Sequence, residues 1–545
     1  MAIPNSHPMR FSPRGLTDSF DASDQFNGAC QLLQNLILDQ SNPANVIARP
    51  GTQSIVNMSG PFANPGFISI QATIGTRIYG MVATTRFATH DEPFCFDMAT
   101  GAFVPITGVT AANTPVSPST SGDWEPPTMA SVGKFILITH PGMAAIGAGN
   151  QFGIIDLTTP TAPAWSMATT TTNALTTHPV AVANFNNRAY FAVGNTVQFT
   201  DVLSLTRTAG TQSLTLGDSA NVIALAGLPV QTTSSGVVSA LTAFKTTQIW
   251  QVTGDPTTTN LAENYISLTV GTQSPRTIAQ SPSGLYFVSK GGPYFIDPLG
   301  TLRALTNNYT SAEPDLQIPF INAVTPTRWA GYYNDSIYRV CGPTVVLGIQ
   351  QTNDYWFDEH RRRWSGPHTF AYDCASAGTD FFILTTASVN GLLLSSQSSP
   401  QLDSVYNDLG APYQCVVESC QLPAVGDMAT HQVTQSQIEL GGSPLGAAYT
   451  ISAIDEVGST MNAITLTVPP SNVPLWGDGS LWGSGVLWTS GKATAPVPYA
   501  VNWTSPLVFE KMQLSIQVTA NASVQIGKFY ALYQRTGYMT TRLPA

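Results

Sequence analysis

Apolar and polar residues alternate in short runs along most of this chain, and Gly, Asn or Asp breaks the runs at close intervals. One early segment reads differently. From Ser23 to Gln40, apolar residues fall at Phe26, Ala29, Cys30, Leu32, Leu33, Leu36 and Ile37. That spacing predicts a helix, capped by Asp21 or Ser23 and ended before Pro43. Ala48-Arg49-Pro50-Gly51 follows as a turn.

From there to about residue 420 strands and turns alternate. A first unit runs from Phe67 through Arg77–Val82 to Phe94–Val104. A second has Lys134–Thr139 and Phe152–Leu157, ending at Trp165. A third has Arg188–Asp201, followed by Ala243–Lys245 and Gln248–Val252. A fourth has Gly284–Ser289, Tyr294–Asp297 and Gly300–Arg303. A fifth has Asp335–Val340, Asp354–Asp358 and Arg363–Ser365, and a sixth runs from Phe381 to Tyr406. Loosely repeated units of roughly 40–50 residues, each three or four strands long, predict an irregular β-propeller of about six blades. Stacked β-sandwiches are the competing architecture. Thr-rich insertions near 110–128 and 206–233 interrupt the period.

Beyond residue 425 the strands lengthen and alternate strictly with period two: His431–Leu440, Ala463–Val468, Lys511–Val518 and Ser523–Tyr533. Half-buried strands of that kind predict an antiparallel β-sandwich. The expected organisation is a lead-in with a short N-terminal helix (1–55), a propeller (56–422) and a C-terminal sandwich (423–545).

Composition agrees with an all-β fold and narrows the chemistry. Charged residues make up 10% of 545, and there are 45 Gly and 39 Pro. Charge is thus scarce against the usual quarter of a globular chain. The net charge of −10 argues against a protein that grips DNA by its phosphates, which needs an excess of Lys and Arg. A conduit through which DNA slides remains compatible with it. No signal peptide and no membrane span is expected. The six cysteines lack framework spacing and read as free thiols of a reducing cytoplasm.

No zincin, P-loop, nucleophile-elbow or paired-cysteine motif occurs. The chain is therefore expected to be no enzyme and to hold no cofactor or metal. The carboxylate pairs Asp91-Glu92, Asp358-Glu359 and Asp455-Glu456 could serve a glycosidase, but their places beside turns favour solvated loops. Two features are candidate contacts. Arg361, Arg362 and Arg363 form the densest positive run, between Trp356 and Trp364. They suit passing DNA or an acidic partner, or else a hairpin turn anchored by the two tryptophans. Trp476, Trp482 and Trp488 recur every six residues in a Gly-rich stretch, as a partner contact, local packing or a sugar platform.

Several phrases resemble one family: Ala48-Arg49-Pro50-Gly51 after Leu36, Tyr190–Asp201, Ile249–Gly254, Gly284–Ser289, Tyr355–Phe357 with Trp364, Tyr406–Pro412 and Gly527–Tyr533. Together they are similar to the nozzle, or tubular tail, proteins of short-tailed bacteriophages, which include needle-hub stabilisation proteins. The Thr-rich insertions and the Leu-Trp repeat have no counterpart in that resemblance. It implies a virion protein made in the host cytoplasm, forming a homo-hexamer on a β-propeller scaffold below the head-to-tail adaptor. It also implies attachment of tail fibres or a needle, and a shared channel that retains double-stranded DNA and then passes it. A glycan-binding tail protein and a propeller glycosidase are the alternatives.

Overall fold

In the computed structural model the chain is almost wholly β-structure. Outside the described residues lie 1–6, 10–14, 17–28, 40–41, 43–44, 60, 63–67, 85–89, 117–126, 148–149, 170–174, 208–210, 229–230, 234–235, 239, 257–260, 306–315, 347, 378–381, 387–388, 396–405, 420, 422–428, 442–445, 470–495, 521–523 and 539–545.

Among the described residues seven antiparallel four-stranded units follow one another as propeller blades, five as separate sheets and two within one larger sheet. Blade 1 comprises Ile68–Ile74, Arg77–Thr84, His90–Asp97 and Ala102–Phe103. Blade 2 comprises Thr128–Val132, Phe135–Thr139, Asn150–Asp156 and Ala164–Thr169. Blade 3 comprises Ala181–Phe185, Arg188–Val193, Thr196–Phe199 and Ser213–Thr215. Blade 4 comprises Ala224–Gly227, Ala240–Phe244, Ile249–Thr253 and Ala262–Ser267. Blade 5 comprises Ala279–Ser281, Gly284–Ser289, Gly292–Ile296 and Leu302–Ala304. Blade 6 comprises Ala330–Asn334, Ile337–Val346, Ile349–Asp358 and Arg363–His368. Blade 7 takes Cys374–Ala377, Phe382–Thr386 and Val389–Ser395, and its fourth strand is Thr52–Asn57 from the start of the chain.

The first strand of blade 7 touches that of blade 1, which closes the ring. Blades 4 and 5 share a core of Ala240, Phe244, Ile249, Leu285 and Phe287. The expected count of about six becomes seven because the third unit of the sequence is two blades. Arg188–Val193 belongs to blade 3, and Ala240–Phe244 with Ile249–Thr253 to blade 4. The Thr-rich insertion between them hides the boundary.

The predicted N-terminal helix is absent from the described part of its span. Ala29–Gln34 and Leu36–Leu38 are strands, separated by Asn35 at φ 56°. Short apolar runs fit either period, and here the partners decide. Ala29–Gln34 pairs with Ala411–Ser419, and Leu36–Leu38 with Val46–Ala48. A left-handed residue mid-segment is incompatible with a continuous helix but suits a break between strands, and Asn tolerates it best.

These early strands enter the sandwich. One sheet holds Leu36–Leu38, Val46–Ala48, Gln525–Tyr538, Ala429–Gly441 and Val497–Ala500. The opposed sheet holds Ala29–Gln34, Ala411–Ser419, Gln513–Ala520, Ala447–Ile454 and Thr460–Val468. Alternate residues of the two bury each other: Leu33, Cys415, Val417, Ile451, Leu514 and Ile516 against Leu38, Val46, Ile438, Leu440, Ile526 and Phe529.

The second sheet does not stop at the sandwich. Ala29–Gln34 also pairs with the outer strand of blade 6, and Asn407–Asp408 links Ala411–Ser419 to Thr52–Asn57 of blade 7. The outer edges of blades 6 and 7 are therefore covered by sandwich strands, which removes two exposed sheet edges. One hydrophobic cluster runs from Tyr286, Trp329, Tyr338 and Trp364 in the propeller to Tyr449, Leu514 and Phe529 in the sandwich.

Candidate functional site

Where a chain this poor in charge buries its charged side chains shows what they are for. Two buried ion pairs sit at the propeller–sandwich junction. Arg49, just past the strand Val46–Ala48, forms a forked pair with Asp408: Nη1 donates to Oδ1 at 3.0 Å, and Nη2 donates to Oδ2. Its Nε donates to Asn35 Oδ1 at 2.9 Å, and its guanidinium lies 4.3 Å from the Tyr413 ring centroid. The Tyr413 hydroxyl donates to the Arg49 carbonyl. Asn35 extends the joint to the propeller, because its amide donates to Thr369 Oγ1 at 2.9 Å and to the Gln414 carbonyl at 2.8 Å. A planar fork that also stacks on a ring is a task for Arg rather than Lys.

The second pair lies inside blade 6. Arg339 Nε and Nη2 donate to Asp354 Oδ2 at 3.1 and 2.5 Å, and Trp356 Nε1 donates to the same oxygen at 2.6 Å. The guanidinium lies 4.4 Å from the Trp356 ring and 5.2 Å from that of Tyr372. Burial pushes the Asp354 carboxyl above the usual carboxylate range, against the pull of Arg339. Burial, with Arg49 and Arg339 adding repulsion, holds the nearby His368 imidazole well below the usual histidine range.

That second shift predicts a pH effect. His368 stays neutral in the folded chain while an unfolded histidine takes its proton near pH 6.5. Stability is unaffected above that value and falls as pH drops below it, because the unfolded state binds the extra proton. The expected slope is up to about 1.4 kcal/mol per pH unit from this residue. Urea midpoints between pH 7.5 and 5 should show it, and His368→Gln should flatten it. An unchanged slope in the variant would refute the assignment.

The predicted contacts divide. Arg361 and Arg362 lie in the turn between Ile349–Asp358 and Arg363–His368 and Arg363 opens the second strand, all three half-buried, with Trp356 and Trp364 in the core. The Arg361 N–H donates to Asp358 Oδ1 at 2.9 Å, and its guanidinium donates to the Asp39 carbonyl of the sandwich. Arg362 takes φ 54° and Arg363 Nη1 donates to the Arg362 carbonyl. The run is a hairpin turn seated against the junction. Trp476, Trp482 and Trp488 lie outside the described residues.

The carboxylate pairs are not all solvated loops. Asp91 and Glu92 are buried within the strand His90–Asp97, and Asp91 Oδ2 accepts from His140 Nε2 at 2.8 Å. Glu359 accepts from the Ser283 and Tyr333 hydroxyls. Asp455 does sit in an exposed turn, accepting from the Val457 and Ser459 N–H groups at 3.1 and 2.7 Å.

None of the seven first strands, which stand nearest the propeller axis, carries Asp, Glu, Lys or Arg. Small and neutral side chains predominate there, as in Ala224–Gly227 and Cys374–Ala377. Among the described residues no cluster of three or more His, Cys, Asp or Glu could hold a metal ion. Motif reading missed Arg49, Asp408, Arg339 and Asp354. For Arg339 and Asp354 the signal was a charged residue set in an otherwise apolar strand, as in Tyr338-Arg339-Val340 and Asp354-Tyr355-Trp356.

No family profile and no curated protein matches the chain. Among solved structures it is similar to BamB from Moraxella catarrhalis, with 10% identity and a TM-score of 0.33 over 64% of this chain and 96% of that one. It is also similar to the computationally designed protein Ika8, with 11% identity and a TM-score of 0.33 over 63% and 99%. An exo-β-1,3-galactanase from Phanerochaete chrysosporium matches at 10% identity and 0.25 over 89% and 100%. Likenesses this distant carry no argument about activity.

Proposed function

We propose that the chain is a structural protein of a short-tailed phage virion, a tail nozzle that assembles as a ring of six below the head-to-tail adaptor. The observation that carries this reading is the joint. A buried ion pair, one continuous sheet and one hydrophobic cluster tie propeller and sandwich together at blades 6 and 7. The axial strands, by contrast, carry no Asp, Glu, Lys or Arg among the described residues. That distribution suits a part that transmits load better than one that turns over substrate.

The net charge of −10 suits the wall of a conduit, because a surface without excess Lys and Arg lets duplex DNA slide. In this reading the DNA path is the space enclosed by the six subunits, and the outward faces hold fibres or a needle. Among the described residues no helix is long and apolar enough to cross a membrane.

The test is electron microscopy of purified chain mixed with the adaptor ring of its phage, and of the assembled particle. The expected result is a six-fold ring enclosing a channel below the adaptor. Chain that stays monomeric beside the adaptor, with no tail density to match it, would overturn the proposal.

A further inference from the structure

The sheet that joins sandwich to propeller has two unlike sides. On one, Ala29–Gln34 pairs with the outer strand of blade 6. On the other the sheet stops at Thr460–Val468, which pairs only with Ala447–Ile454. An open edge offers a row of unpaired N–H and C=O groups to another chain, so natural edges are short, charged, interrupted by Pro or covered. Several outward edges here obey that rule. The outer strands of blades 1, 3 and 5 have two or three residues. That of blade 2 is met by Thr107, whose N–H donates to the Pro163 carbonyl at 2.9 Å and whose carbonyl accepts from the Trp165 N–H at 2.8 Å. Val497–Ala500, at the edge of the other sandwich sheet, has four residues and includes Pro498.

Among the described residues two outward strands of six residues or more keep an edge open along their whole length. Thr460–Val468 has nine residues, none charged and none Pro. Ala262–Ser267, the outer strand of blade 4, has six, with Glu263 as its one charge. Both edges also lack apolar cover. Tyr265, Leu268 and Leu299 are 64, 51 and 65% exposed. A side chain at Gly300 would come within 3.7 Å of Ile266 Cγ1, so the turn that carries Leu299 lies against the blade 4 strand. In Thr460–Val468, Ile464 and Leu466 pack against the sandwich core yet stay half-buried. Each edge supplies what the other lacks: an extended partner for the main-chain groups and apolar side chains to close the flank.

We infer that Thr460–Val468 of one copy adds as a further strand to the outer edge of blade 4 of the next copy, carrying one sheet from subunit to subunit. The inference rests on the ring of six proposed above. Within the chain the same sheet already bonds to a blade edge, at blade 6. The placement also suits closure. With the propeller axis along the ring axis, blade 4 stands about 130° around a seven-bladed propeller from the sandwich at blades 6 and 7. In a closed ring of six, the two contact faces of a subunit stand about 120° apart and are unlike each other.

Full-length chain with benzoylphenylalanine placed at Thr465, mixed from isotope-labelled and unlabelled copies, is assembled on the adaptor ring of its phage and irradiated. The expected cross-link joins position 465 to residues 261–268 of another copy. Asn264 and Thr465 are both exposed, so Asn264→Lys with Thr465→Lys should leave circular dichroism unchanged. The pair should raise the concentration for half-assembly at least tenfold, because two added cations meet across one pairing. Ser166→Lys, exposed on blade 2, should leave assembly as it is. A six-fold ring whose cross-links fall elsewhere, including on 460–468 of a second copy, would overturn this contact and leave the ring standing. So would assembly untouched by the double Lys variant. Absence of both ring and cross-link would overturn both, and the expected cross-link without six-fold order would uphold the contact against the ring.

Discussion

Arg49→Met is expected to destabilise the chain by about 3–5 kcal/mol, because it leaves Asp408 partly buried with its cation removed. The methionine keeps most of the stem volume, so the loss reports charge and hydrogen bonds more than packing. Arg49 serves Asp408, Asn35 and the Tyr413 ring at once, and those three come from the lead-in and from the strands joining blade 7 to the sandwich. The effect should therefore appear as loosening of the junction as well as loss of global stability. Hydrogen exchange should rise in Ala411–Ser419 and Thr52–Asn57 before it rises in blades 2 and 3. The double variant Arg49→Met/Asp408→Leu should recover much of the loss, since a buried pair replaced on both sides is often near neutral. Arg361→Ala, at the half-buried turn, should cost about 1 kcal/mol or less. A loss below about 1 kcal/mol for Arg49→Met in urea melts would contradict the role given to the pair.

Trp364→Ala should cost about as much, roughly 3–5 kcal/mol, for a different reason. Its side chain is fully buried, with the Phe357 and Phe320 rings 5.1 and 6.1 Å from it, and it fills the seam between blade 6 and the sandwich. Deleting it opens a cavity that strands on both sides, fixed by their ladders, cannot collapse to fill. Trp364→Phe should cost less than about half of that. The indole Nε1 is buried with no partner, and removing an unsatisfied donor returns part of its desolvation penalty of about 1–3 kcal/mol. Thermal unfolding of the two variants side by side decides the point. Equal losses would mean that the Nε1 atom carries no penalty.

Much of the fold was readable because strands with strict alternation declare which face is buried. The four long strands after residue 425 appear where the pattern puts them, as do the paired strands around Arg188, Gly284 and Tyr355. What escaped was whatever depends on distant partners. Ala29–Leu38 looks helical by local spacing and is extended because residues 411–419 and 46–48 are there to pair with it. The blade count falls one short because Arg188–Val193 and Ala240–Phe244, which belong to different blades, read as one unit across the Thr-rich insertion between them. The ion pairs were invisible to motif matching, since Arg49 and Asp408 have no spacing that marks them as a pair. Asp91 and Glu92 misled in the other direction, because a polar pair beside a turn reads as solvated until His140 of the next blade covers it.

The same strand order sets when the molecule can become whole during its synthesis. Thr52–Asn57 emerges from the ribosome early, but its antiparallel partner Val389–Ser395 is made far later. Val46–Ala48 waits longer still, for Gln525 and Ile526. Until the last strand is translated, the first ones carry open edges and uncovered apolar faces. A nascent chain cut short by a nonsense codon before Gln525 thus keeps Val46–Ala48 paired only with Leu36–Leu38, its other edge open. Such fragments should be degraded or aggregate, so closure of the fold reports that translation has passed Ile526.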